Sequence, residues 1–118
     1  VYPRENEIDV TDDVAVQAMI ASVVSEPGFG QLNVLCANAG IAKVGSLVDS
    51  SAAERARMFD VNVHGVMNTC VAAAKQMIIQ GTGGRIIPTA SIVALRPFPM
   101  VCRLVIRDVS TADWAGSG

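Results

Sequence analysis

Groups able to move a proton near neutral pH are scarce in this chain of 118 residues: His64 is its sole histidine, Tyr2 its sole tyrosine, and Lys43 and Lys75 its lysines. Cys36, Cys70 and Cys102 are far apart, and no Cys-x-x-Cys or Cys/His spacing is present, so nothing points to zinc or another metal. They read as buried, reduced thiols of an intracellular protein. No apolar run approaches the roughly 20 residues of a bilayer span. The formal charge is only -2, which gives no reason to expect nucleic acid or an anionic membrane as partner. No glycine-rich turn stands between a strand and a helix, the order that a phosphate-cradling loop needs. The first residues carry neither an initiating Met nor a signal peptide, so the chain reads as beginning inside a longer one.

What is there is half apolar, as in a globular domain. The chain is organised around Leu32–Gly40, an apolar strand pattern that stops at Asn38-Ala39-Gly40. A strand ending in small residues is what a parallel α/β sheet offers a ligand at its carboxyl edge. Before it, Ile8-Asp9-Val10 reads as the end of a short strand. Thr11 is placed to cap a helix, and Asp12 and Asp13 set negative charge in its first turn. Val16, Met19, Ile20, Val23 and Val24 give that helix one apolar face, and Pro27-Gly28 stops it. After Gly40 the chain loosens until Ser50 or Ser51 caps a long helix reaching about Gln80, with Glu54 in its opening turns. Phe59, Val63, Val66, Cys70, Ala73, Ala74 and Met77 mark its apolar stripe. His64 lies on this helix off the face of Asn62 and reads as a surface residue. Gly81-Thr82-Gly83-Gly84 ends the helix. Arg85-Ile86-Ile87 opens another strand ending near Ser91, in which Pro88 is awkward because it lacks a ladder N–H. The order β-α-β-α-β makes an open parallel sheet. From Pro97 the pattern is lost, as a shifted reading frame, a retained intron or true divergence would leave it.

Four of these segments, in this order, resemble the short-chain dehydrogenase/reductase family. Asp9-Val10-Thr11-Asp12 resembles the end of the family's third strand. Asn38-Ala39-Gly40 is similar to its Asn-Ala-Gly motif, and Val61-Asn62-Val63-His64-Gly65 to the Asn-x-x-Gly segment of its central helix. Gly84 to Ser91 resembles the fifth strand running into the active-site serine. The resemblance implies a partial Rossmann-like α/β domain over residues 1–97, built on family strands 3, 4 and 5, followed by an irregular tail over 98–118. It implies NAD or NADP as cofactor and a small alcohol/carbonyl substrate. Asp9 and Val10 would meet the adenine, with Asn38, Ala39 and Gly40 lining the adenine-ribose side. Ser91 would bond the substrate oxygen, and Asn62 would hold a helix kink and a water of the proton relay. A cytoplasmic location and a homo-oligomer through the helix over 51–80 follow from the same resemblance.

The family's Thr-Gly-x-x-x-Gly-x-Gly turn and its Tyr-x-x-x-Lys pair have no counterpart in the sequence. The chain is therefore expected to be inactive alone and marginally stable, with open strand edges and an uncovered helix stripe. Family strand 3 reaches strand 4 only through strands 2 and 1, so either a gap remains or the two pair directly. The alternative function is an interaction module that pairs with an intact homologue through the long helix. A serine hydrolase on Ser91 is disfavoured, because no Gly-x-Ser-x-Gly elbow surrounds it.

Overall fold

A computed structural model describes residues 7–92. The tail over 98–118, Cys102 and the pattern break at Pro97 lie outside them. In chain order the elements are α1 (Asp13–Ser25), β1 (Val34–Ala37), α2 (Ala52–Phe59), a π-helical turn (Asp60–Gly65), α3 (Val66–Gln80) and β2 (Arg85–Pro88). The sheet is parallel, with Val34 opposite Arg85 and Ala37 opposite Pro88.

Each helix is delimited by local chemistry. Asp12, not Thr11, caps α1, taking the N–H groups of Val14 and Ala15 at 3.0 Å. Thr11 is one residue too early because both its N–H and its hydroxyl are held by Asp9. Ser51 caps α2 in a reciprocal box: its hydroxyl accepts the Glu54 N–H at 3.1 Å, and Glu54 accepts the Ser51 N–H at 2.9 Å. Lys43 pairs with the same Glu54, which ties the loop after β1 to this helix start. Ser51→Ala removes one side of the box and should cost about 1 kcal/mol, read as a lowered denaturant midpoint. Gly81 closes α3 with φ +72°, where a side chain would be strained.

The core forms where α1 and α3 pack over one face of the sheet. Val16, Ile20, Leu35, Ala72 and Ala73 are buried together, with Ile8, Met19, Leu32 and Ile86 partly buried around them. The other sheet face is bare among the described residues: Val34 is 52% and Ile87 49% exposed, and Cys36 between them is exposed too. Cys36 is therefore an exposed thiol among the described residues, because no described helix covers its side of β1; Cys70, on α3, is partly buried.

Two further expectations need correction. Ile8-Asp9-Val10 forms no strand, for none of the described residues beside it offers a ladder. The Asp9 carbonyl instead accepts from Asp12 N–H, and the Val10 carbonyl from the Asn68 side chain at 3.1 Å. Between this segment and β1 a gap remains. The buried row of the long helix also meets the stripe expected from sequence only in part, at Ala73 and Met77. Met58, Val61, Gly65, Thr69, Ala72, Ala73 and Met77 are buried, whereas Phe59 and Val63 are exposed. Small side chains let Val10 and α1 approach this row closely. Thr69 can join it because its hydroxyl donates to the Gly65 carbonyl at 2.7 Å.

Pro88 is accommodated by the ladder's alternation. Arg85 N–H donates to the Asn33 carbonyl and Thr89 N–H to the Ala37 carbonyl. Arg85, Ile87 and Thr89 thus turn their backbone groups to β1, and Ile86 and Pro88 turn theirs outward. The missing N–H lies on the outer edge, where a proline is tolerated.

Candidate functional site

The gap beside β1 is a cleft of about 180 Å³. Its walls are Ile8 and Val10 on one side and Leu35 to Ala39 on the other, with Gly65, Val66 and Thr69 from the long helix below. Of the seven residues singled out from sequence, Val10, Asn38 and Ala39 converge on this cleft. Asp9 stands next to it, outside the lining. Gly40 continues the turn after β1. The β1–β2 register sets Gly40 and Ser91 each three residues beyond the paired Ala37 and Pro88, at the same carboxyl edge. Ser91 is exposed there.

Gly65 shapes the cleft floor. A β-carbon at this position would lie 2.5 Å from Val10 Cγ2 and 3.1 Å from Val10 Cβ. Its glycine is thus required by close approach of the Asp9-Val10 segment, and Asn68 one turn on anchors the Val10 carbonyl. Neither contact was singled out from the sequence. A glycine inside a helix, which costs about 1 kcal/mol against alanine, is the signal that marks such an approach.

Asn62 makes the site's most specific contact. Its Oδ1 accepts the Ile41 N–H at 2.8 Å, and its Nδ2 donates to the Ile41 carbonyl at 2.9 Å. Both backbone groups of one residue are thereby held by one amide, as a neighbouring strand would hold them. The π-helical turn that carries Asn62 takes the place of the expected kink. Wider turns of this kind recur at functional sites. The contact fixes the turn 38–41 against the helix, and the Gly40 Cα lies so near that an added β-carbon would touch Asn62 Oδ1 at 3.4 Å. His64, in the same turn, is exposed as the sequence suggests.

Asp9 is held ionised. The Thr11 N–H, at 3.0 Å, is the main cause that lowers its carboxyl below the ordinary 3.8; the Thr11 hydroxyl at 2.8 Å adds to it, and Arg57, 3.6 Å away, contributes less. A carboxyl lowered in the fold stabilises it above the unfolded value and loses that contribution as pH falls through the folded value. The side chain is half exposed, so the effect on stability is small. Carboxyl NMR titration should place Asp9 below 3.8, and Thr11→Val should move it partly back.

The residues fit an aromatic, amine-bearing ligand: an apolar slot floored by Gly65, with small Ala39 at one side, and the Asp9 carboxylate next in sequence to the lining residue Val10. A carboxylate has about four lone-pair sites, so Asp9 can accept another donor beside Thr11.

The chain matches the family described as short chain dehydrogenase over residues 5–103. It belongs to the short-chain dehydrogenase family. Its sequence is 39% identical over 94 residues to a putative short-chain type dehydrogenase/reductase of Mycolicibacterium smegmatis, covering 79% of this chain and 33% of that protein. The fold superposes on a short-chain type dehydrogenase/reductase from Mycobacterium marinum with a TM-score of 0.79 at 35% identity, covering 84% of this chain and 40% of that one. An NAD+-bound xylitol dehydrogenase gives a TM-score of 0.77 at 32% identity, over 89% of this chain and 40% of that one. This short-chain dehydrogenase segment thus spans 33% of its curated relative's length and has the α/β fold of longer proteins. Among its described residues no helix is long and apolar enough to cross a membrane.

Proposed function

We propose that this chain carries the adenine-ribose side of the dinucleotide site of an NAD(P)-dependent oxidoreductase acting on a small alcohol or carbonyl compound. The observation that carries the reading is the convergence of Val10, Asn38 and Ala39 on one apolar cleft floored by Gly65. Val10 and Ala39 would hold the two faces of the adenine. The Asp9 carboxylate, next in sequence to Val10, would accept its amine. Asn62 holds the turn over which the ribose would lie. When bound, the cofactor supplies hydride transfer. Ser91, level with Gly40 at the same edge, would donate to the substrate oxygen. The sequence holds no Tyr-x-x-x-Lys to move the proton, so turnover by the chain alone should be nil.

The test is binding, not activity. Saturation-transfer NMR should detect AMP and NAD+ on the chain through adenine protons, and Ala39→Leu, which fills the slot, should abolish the signal. Nicotinamide mononucleotide should give none. Absence of an adenine signal from the folded chain would refute the reading, as would measurable NAD(P)H oxidation refute the inactivity.

A second reading has its own support. Met67, Val71 and Ile78 of α3 lie in one row, 55%, 45% and 78% exposed. Such a row suits a second copy or an intact homologue packed along residues 51–80. Ile78→Asp should then shift a sedimenting dimer to monomer; an unchanged sedimentation coefficient would count against it.

A further inference from the structure

The long helix grips the chain around β1 at two points. At its far end Gln80 treats Leu32 as Asn62 treats Ile41: Oε1 accepts the Leu32 N–H at 2.9 Å, and Nε2 donates to the Leu32 carbonyl at 2.8 Å. Nε2 also reaches Thr82 Oγ1 at 3.0 Å and the Gly83 carbonyl at 3.2 Å, so the same amide joins the approach to β2. The two amides are 18 residues apart on one continuous helical stretch, and the residues they hold are nine apart. β1 (Val34–Ala37) lies between Leu32 and Ile41, so the long helix holds the chain on both sides of the strand.

We infer that Gln80 is a positioning residue for the Asn38–Gly40 turn, acting through a β1 that is held on both sides. With both ends held, β1 cannot slide along α3, and the turn that lines the cleft sits at one axial position. Releasing Leu32 lets β1 creep toward its carboxyl end, and the Asn62–Ile41 bonds loosen although Gln80 touches neither residue. The ladder with β2 does not replace this grip, because Gln80 also sets the entry of β2 through Gly83. The inference stands apart from the nucleotide reading, since it concerns only where the turn is held.

Amide hydrogen exchange on the full chain tests it. In Gln80→Ala the Ile41 N–H should exchange about tenfold faster, while the α1 amides keep their protection. The reciprocal change, Asn62→Ala, should speed exchange at Leu32. Gln80→Glu keeps an acceptor for Leu32 N–H and loses the donor, and should give a smaller rise at Ile41. Faster exchange confined to Leu32 and Gly83 in both Gln80 variants would overturn the inference. So would loss of α1 protection in both, which would make Gln80 a support of the whole fold and not of the turn.

Discussion

Gly65→Val is expected to lower stability by about 3 kcal/mol, the upper end of what overpacking a close contact costs. The first added carbon alone would stand 2.5 Å from Val10 Cγ2. Val10 cannot swing clear by a side-chain rotation, since its Cβ is itself 3.1 Å away and its carbonyl is tied to Asn68. The Asp9-Val10 backbone has to move, and with it one wall of the cleft. Gly65→Ala makes the same first clash but regains about 1 kcal/mol of helix propensity, so its net loss should be nearer 1–2 kcal/mol. Denaturant midpoints order the three proteins. Adenine saturation-transfer signals should fall in the same order, because the displaced wall is the one Val10 makes. A valine variant as stable as the parent would show that Val10 does not pack on the helix as described.

Asn62→Ala comes next. It removes two hydrogen bonds of 2.8 and 2.9 Å that no other described side chain replaces at Ile41. At about 1 kcal/mol net for each bond, less about 0.6 kcal/mol gained in helix propensity, the loss should be about 1.5 kcal/mol. Asn62→Leu, which keeps the bulk and loses the amide, should cost as much or more. Equal denaturant midpoints for Asn62→Leu and the parent would mean that water serves Ile41 as well as the amide does. Asn62 and Gly65 lie in the same π-helical turn, so Gly65→Val and Asn62→Ala together should not be additive.

The features legible in the sequence are those that local chemistry decides. The Ser51/Glu54 box, the Gly81 stop and the apolar run of β1 need no distant partner, and each is where the residues put it. Convergence of Val10, Asn38 and Ala39 was also legible, but only through resemblance to a family, not from spacing. What escaped depended on neighbours. Ile8–Val10 has strand-like residues, yet a strand exists only where another backbone pairs with it. Apolar type alone points to Phe59 and Val63 as well as Ala73 and Met77, whereas the structure buries Gly65, Thr69 and Ala72 with the latter two and leaves the former two exposed. Apolar type marks what can be buried; close approach of another element decides what is. Thr11 and Asp12 are both good caps, and the choice fell to Asp12 because Asp9 had already claimed Thr11.

The outward proline of β2 gives the sheet a direction of growth. A strand adding beside β2 would find one bonding position already missing at Pro88. The opposite edge of β1 presents Val34, Cys36 and Asn38, each with its N–H intact. New pairing, whether ordered or in aggregation, therefore starts on the cleft side, and a ligand seated in the cleft would compete with it. Solubility of this chain should accordingly improve with a charged side chain on the β1 side and respond little to one on the β2 side.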